Sequence, residues 1–170
     1  MYTMPVDLAA RPMNIHWKLP IPFTAEAPDG THSFVAIDAT RVVECAMKRL
    51  CGACGKPLDY WIAFIGGPIS AETRRYADPP MHVACAEAVM TLCPHIALKR
   101  TKRACGARVP EDAHMPPGFN MKKPDRWIIG ITRDFDSEID RNHVAFLAFP
   151  FKRTREYVYN NEGRLTEVEK

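Results

Sequence analysis

The sequence predicts an α+β fold in which one metal site staples a tight turn to the start of a helix, with a strand and a helix before it and an antiparallel β-meander after it. Three observations carry that prediction. Cys51-Gly-Ala-Cys54-Gly and Met81-His82-Val-Ala-Cys85 offer two ligand pairs of the types and spacing that one tetrahedral zinc site takes. Val42, Val43, Ala46, Met47 and Leu50 recur at three and four, the period of an amphipathic helix. Segments 127–132, 143–149, 156–159 and 164–168 are rich in branched and aromatic residues, as strands are.

In chain order, residues 1–30 are rich in proline and turn formers, with Trp17, Leu19, Ile21 and Phe23 alternating with other residues. An edge strand or extended arm is expected there, because edges tolerate proline. Asp29-Gly30 predicts a turn and Ser33-Phe-Val-Ala-Ile37 a strand, so the two flanks of that turn can form a hairpin. Asp38 is the expected cap of the helix carrying Val42 to Leu50, and Cys45 falls on its apolar side as a small core residue. That helix delivers the chain into the first cysteine pair.

A Cys-x-x-Cys alone also suits a dithiol redox enzyme, where it opens a helix after a strand. Pro57 removes a backbone donor and predicts a turn instead, and a redox pair would need no partner pair at 82 and 85. Trp61-Ile-Ala-Phe-Ile65 reads as an apolar strand closed by Gly66-Gly67-Pro68. Asp78 is the expected cap of the next helix, with Pro79 or Pro80 at its first position and Ala84, Ala86, Ala88, Val89, Met90 and Leu92 sustaining it to Pro94. His82 and Cys85 then share one face of its opening turn. Knuckle, hairpin and helix in that order define a treble-clef zinc finger, with one structural Zn2+ on Cys51, Cys54, His82 and Cys85.

Beyond the helix, Cys93, His95, Cys105 and His114 match no zinc spacing and stand better as buried or free groups than as a second site. Asp134, Asp136, Glu138 and Asp140 alternate through what reads as a solvated acidic loop, since a calcium loop needs a glycine turn and a terminal acid that are missing. Asn160-Asn161-Glu162-Gly163 is the turn between the last two strands.

The 170 residues include 15 prolines and 6 cysteines, enough cysteines for three disulfides, though metal spacing and a reducing compartment account for them better. No apolar run approaches membrane-spanning length and the first residues lack a signal-peptide layout, so a cytoplasmic protein is expected. Net charge is +3, and Lys plus Arg against Asp plus Glu runs 8 to 9 over residues 1–98, 8 to 3 over 99–126 and 7 to 8 thereafter. The expected organisation follows: residues 1–98 hold the zinc site, 99–126 form a basic, proline-rich connector, and 127–170 form a β region packed on the first.

Leu50-Cys-Gly-Ala-Cys-Gly-Lys-Pro-Leu58, Trp61 to Pro68, Asp78-Pro-Pro-Met-His-Val-Ala-Cys-Ala-Glu87, Cys93-Pro94 and the closing Tyr157-Val-Tyr-Asn-Asn-Glu-Gly-Arg164 together resemble a family of uncharacterised small proteins from actinobacteria and their phages. The resemblance covers most of residues 50–168. It implies zinc at Cys51, Cys54, His82 and Cys85, a phage-related origin with the host cytoplasm as location, and Cys93 closing the zinc helix against the core. His95 departs from it, standing where an aromatic is expected.

The expected function is that of a non-enzymatic, zinc-stabilised binding protein. One reading has it bind a host protein or nucleoprotein complex, as an inhibitor of host defence or transcription would. The other is direct nucleic-acid binding, with Arg74, Arg75, Lys99, Arg100, Lys102, Arg103 and Arg108 against phosphates and Trp61 or Tyr76 stacking on bases. A nuclease of the HNH-like, metal-dependent kind is disfavoured because one closed site consumes the best ligands, which leaves His114, or His143 beside Asp140, as possible bases.

Overall fold

The computed structural model describes residues 3–34, 37–99, 123–141 and 143–168. The N-terminal stretch is a small hairpin rather than an arm: α1 (Val6–Ala9) leads to β1 (Met13–Asn14), which pairs antiparallel with β2 (Leu19–Pro20). Asn14 builds the turn, its side-chain oxygen accepting from the backbone N–H groups of His16 at 3.0 Å and Trp17 at 2.9 Å. A 3-10 turn over Phe23–Ala25 follows. The Asp29-Gly30 turn forms, with Gly30 at φ 87°. Of the strand expected over residues 33–37, Ser33, Phe34 and Ile37 lie in no strand, and Val35 and Ala36 fall outside the described residues.

Helix α2 (Ala39–Lys48) is capped as expected by Asp38, whose carboxylate accepts from the Arg41 N–H at 2.9 Å. Val42, Cys45 and Ala46 are buried, while Met47 is 70 % exposed. Met47 stands about 140° round the helix from Val42 and so leaves the buried face. Next come β3 (Ile62–Gly66), α3 (Pro68–Thr73), β4 (Arg75–Tyr76), β5 (Met81–His82), α4 (Val83–Leu92) and α5 (Pro94–Ala97). Helix α4 starts later than expected, with His82 rather than Asp78 at its N-cap. Met81 and His82 are held extended by pairing with β3, and Pro80 biases the residue before it the same way.

The chain closes with β6 (Arg126–Thr132), β7 (Phe135–Asp140), β8 (His143–Ala148), β9 (Arg153–Tyr159) and β10 (Leu165–Glu167). These strands exist where expected but do not make one meander. The five-stranded antiparallel sheet runs β10-β9-β6-β3-β5, and the β7–β8 hairpin leaves it to form a second sheet in the order β4-β8-β7. The supposed acidic loop is β7: its acids alternate with Phe135, Ser137 and Ile139, a strand period, and every residue of it pairs with β8.

Strand β3 is buried at all five positions. Ile62 and Phe64 pack with Val42, Tyr76, Phe135 and Phe146, while Ala63 and Ile65 pack with Ala86, Met90, Trp127 and Ile129. Covered on both faces, it reads as a continuous apolar run rather than an alternating one. Its neighbour β6 carries Gly130, where an added Cβ would lie 2.4 Å from the Phe151 ring. The ring closes over the gap in the sheet. Leu98 bridges to Arg164, the Lys99 N–H donates to the Gly163 carbonyl at 2.8 Å, and Lys123 Nζ donates to the Leu98 carbonyl at 2.5 Å, so residues 98 and 123 meet beside β10. Among the described residues no helix is long and apolar enough to cross a membrane.

Gly130→Ala should cost about 1–3 kcal/mol by forcing Phe151 off the sheet, read as a lowered denaturant midpoint at unchanged slope. A second expectation concerns pH. The Arg155 guanidinium grips Glu167 through two bonds of 2.7 Å and holds its carboxyl below the usual range. A depressed carboxyl stabilises the fold above its unfolded pKa, and that contribution is lost as pH falls through the folded value. Glu167→Gln should therefore lower the thermal midpoint slightly at neutral pH and not at all in strong acid.

Candidate metal centre

Helix α2 ends on Arg49 in the left-handed region, at φ 54°, which turns the chain into the cysteine loop. Leu50 and Pro57 bridge across that loop, the Cys51 N–H donates to the Lys56 carbonyl and the Gly55 N–H to the Cys51 carbonyl, both at 2.8 Å. Gly55 has φ 76°, and a Cβ there would meet the Phe23 ring at 2.6 Å, so glycine is required on two counts. The 3-10 turn braces the loop from outside, with the Phe23 and Thr24 N–H groups donating to the carbonyls of Ala53 at 2.8 Å and Gly52 at 3.2 Å.

The second ligand pair is placed by strand register. Ile62 lies opposite His82, the Gly52 N–H donates to the Pro80 carbonyl at 3.0 Å, and α4 opens immediately so that Cys85 falls in its first turn. The ligand atoms of Cys51, Cys54, His82 and Cys85 all lie within 4.8 Å of one another. His82 Nδ1 stands 3.4 Å from Cys54 Sγ and 3.8 Å from Cys85 Sγ. A tetrahedron with metal–sulfur bonds of about 2.3 Å and a metal–nitrogen bond of about 2.0 Å has edges of roughly 3.5–3.8 Å. The donor set fits one metal ion.

The surroundings support ligation. His82 Nε2 lies 2.8 Å from the Pro57 carbonyl, which fixes the proton on that nitrogen and turns the Nδ1 lone pair to the sulfurs. The His82 N–H points at Cys51 Sγ at 3.4 Å, a contact that favours thiolate. Hydrogen bonds from Cys54 and then Cys85 hold the Cys51 thiol far below its ordinary range, and hydrogen bonds with Cys51 and Cys54 push His82 up to about 11, so without a cation a proton is held on the ring against the thiolate, in the place a metal ion would take. All three cysteines are buried. Cys45, also buried, makes a contrast: desolvation pushes its thiol up to about 12, the state of an inert core residue.

Of the other expected site residues, three basic ones are described. Arg75 is engaged by Glu138 at 2.8 Å, Arg74 is half-buried at the end of α3, and Lys99 is exposed beside the β9–β10 turn. Arg100, Lys102, Arg103 and Arg108 lie outside the described residues, as do Cys105 and His114. Tyr76 cannot stack on a base: it is 4 % exposed and packs against Phe64 at 4.8 Å. Cys93 and His95 sit at the α4–α5 junction, and among the described residues the Cys51 cluster is the one grouping of three or more metal-ligating side chains. His143 faces Asp140 across the β7–β8 turn. The sequence reading missed the bracing by Phe23 and Thr24 and the grip of Pro57 on His82, because both join residues far apart in the chain.

Fold and site together define an α+β chain that gathers three cysteines and one histidine into a single candidate metal centre. No known protein family, curated protein or solved structure matches the chain.

Cys51→Ser and Cys85→Ser should each lose bound metal and unfold the segment from the knuckle to α4, because binding free energy in such sites is folding free energy. Cys45→Ser should keep the full metal content. Elemental analysis beside far-UV circular dichroism checks both. A protein needing Cys45 and indifferent to Cys85 would overturn the ligand set.

Proposed function

We propose that the chain is a non-catalytic binding protein built on a treble-clef zinc finger, with one structural Zn2+ on Cys51, Cys54, His82 and Cys85, and that it acts by binding a host protein or nucleoprotein complex. The observation that carries this is the closed cage: four protein ligands, three of them fully or nearly fully buried cysteines. Thiolates with imidazole in tetrahedral array select zinc among the common divalent ions. Four protein ligands leave no coordination position for a substrate or a water, which is the mark of a structural rather than catalytic centre.

The treble-clef reading is supported by the order of parts. A knuckle closed by Leu50 and Pro57 precedes an antiparallel strand pair, β3 with β5, and the helix after it supplies Cys85 with His82 at its cap. Helix α3 and strand β4 are an insertion between the two strands of that pair. The HNH-like nuclease reading is disfavoured because the four best ligands belong to one closed cage; of its candidate bases, His143 pairs with Asp140 in the β7–β8 hairpin and His114 lies outside the described residues. A phage-related origin rests only on the resemblance over most of residues 50–168, which carries no activity with it, and a role against host defence or transcription is one form that binding to a host complex would take.

Purified protein should carry one equivalent of zinc, and a strong chelator should release it with loss of structure. Tagged protein should retain a defined set of host partners after nuclease treatment of the lysate. Metal-free protein that is fully folded would sink the zinc reading, and loss of every partner on nuclease treatment would leave nucleic acid as the direct target.

A further inference from the structure

Where β3 and β6 run past their pairing, Trp61 and Arg133 extend the two strands beyond the Ile62 and Thr132 pair. The Arg133 guanidinium lies over two rings there, 4.7 Å from the centroid of Tyr60 and 5.1 Å from that of Trp61. The two rings meet edge to face at 5.3 Å and 84°. Trp61 is half-buried and packed against the core, whereas Tyr60 is 62 % exposed. Arginine usually spends such an exposed position on a carboxylate. Here none of the ion pairs among the described residues includes Arg133, and the adjacent Asp134 pairs with Arg49.

We propose that Tyr60, Trp61 and Arg133 form a contact site for single-stranded nucleic acid, Arg133 taking a backbone phosphate and Tyr60 stacking on the adjacent base. Two properties select this partner. A guanidinium laid on aromatic faces keeps its N–H fork in plane and pointing outward, the geometry that grips a phosphate through two parallel bonds. An exposed ring beside that fork has a face to offer a base, and only an unpaired strand presents a base face and a phosphate within one nucleotide of each other. The half-buried Trp61 holds the arginine in place from below. An acidic peptide would satisfy Arg133 but leave Tyr60 without a partner.

This goes beyond the binding-protein reading and needs from it only that the fold be intact, so metal content is measured on every variant. Anisotropy of short labelled oligo-dT and oligo-U, read across a salt series, is the test, with a duplex of equal length and heparin as competitors. The intact protein should bind both single strands and prefer them to the duplex. Tyr60→Ala should weaken binding roughly ten-fold without changing the salt dependence. Arg133→Gln should weaken it and make the slope of log affinity against log salt shallower by about 0.7, the value of one phosphate contact on a single strand. Arg141→Gln removes the same charge at the far end of β7 and should leave affinity near that of the parent. No binding of either strand at low salt overturns the proposal, as do Tyr60→Ala and Arg133→Gln binding like the parent. Binding that heparin abolishes and Tyr60→Ala does not touch reduces the site to a general anion contact and equally overturns it. Each of these results leaves the zinc stoichiometry and the capture of host proteins standing on their own measurements.

Discussion

Three sulfurs and an imidazole confined within 4.8 Å of one another, with the sulfurs buried, are the constraint on which the rest of the structure depends. Thiolates crowded this closely and cut off from water repel one another, and burial of such charge is costly unless a cation compensates it. A dication among these ligands would turn the same crowding into a tie. It would join the loop after α2 to the junction of β5 and α4, two segments about thirty residues apart in sequence, and the N-terminal 3-10 turn is fastened to the same loop through the Gly52 and Ala53 carbonyls.

Cage and sheet specify each other. His82 reaches the sulfurs because it lies opposite Ile62, and a slip of one residue in that pairing would turn its side chain to the other face of the sheet. Pairing of only two residues with β5 is weak by itself, so the ligands hold the register that in turn aims them. On its other edge β3 pairs with β6 over five positions and carries apolar side chains to both faces, one toward α2 and the second sheet and one toward α4. The strand is therefore the joint through which the cage and both apolar clusters share their stability.

Much of this was legible in the residues, and what was not has a common cause. The ligand spacing, the Asp38 cap, the Asn160 to Gly163 turn and the existence of the late strands all rest on local chemistry, and the structure contains them. Strand partners do not follow from local chemistry. Nothing in segments 127–132 and 143–149 distinguishes a meander from two sheets, because both arrangements bury the same alternate side chains. The start of α4 was misplaced for a related reason: Asp78-Pro79-Pro80 has the chemistry of a helix entrance, and pairing with β3 keeps Met81 and His82 extended in spite of it. Tyr76, expected to be available for stacking, is enclosed by Phe64, Phe146 and Phe151, while Tyr60, which nothing in the sequence singled out, stays on the surface.

The position of Tyr60 also follows from the cage. Residues 57–61 connect the knuckle to β3, and their path is pinned at one end by the Pro57 carbonyl on His82 Nε2 and at the other by the pairing of Ile62 with both His82 and Thr132. A segment so short between two fixed points has little freedom left, and side chains on it are presented in a set direction at small entropic cost. An ion closing the knuckle would thus act at a distance of a few residues on the exposed ring and on the arginine lying across it. On the proposed reading, metal binding would serve recognition by fixing the loop that carries Tyr60 and Trp61.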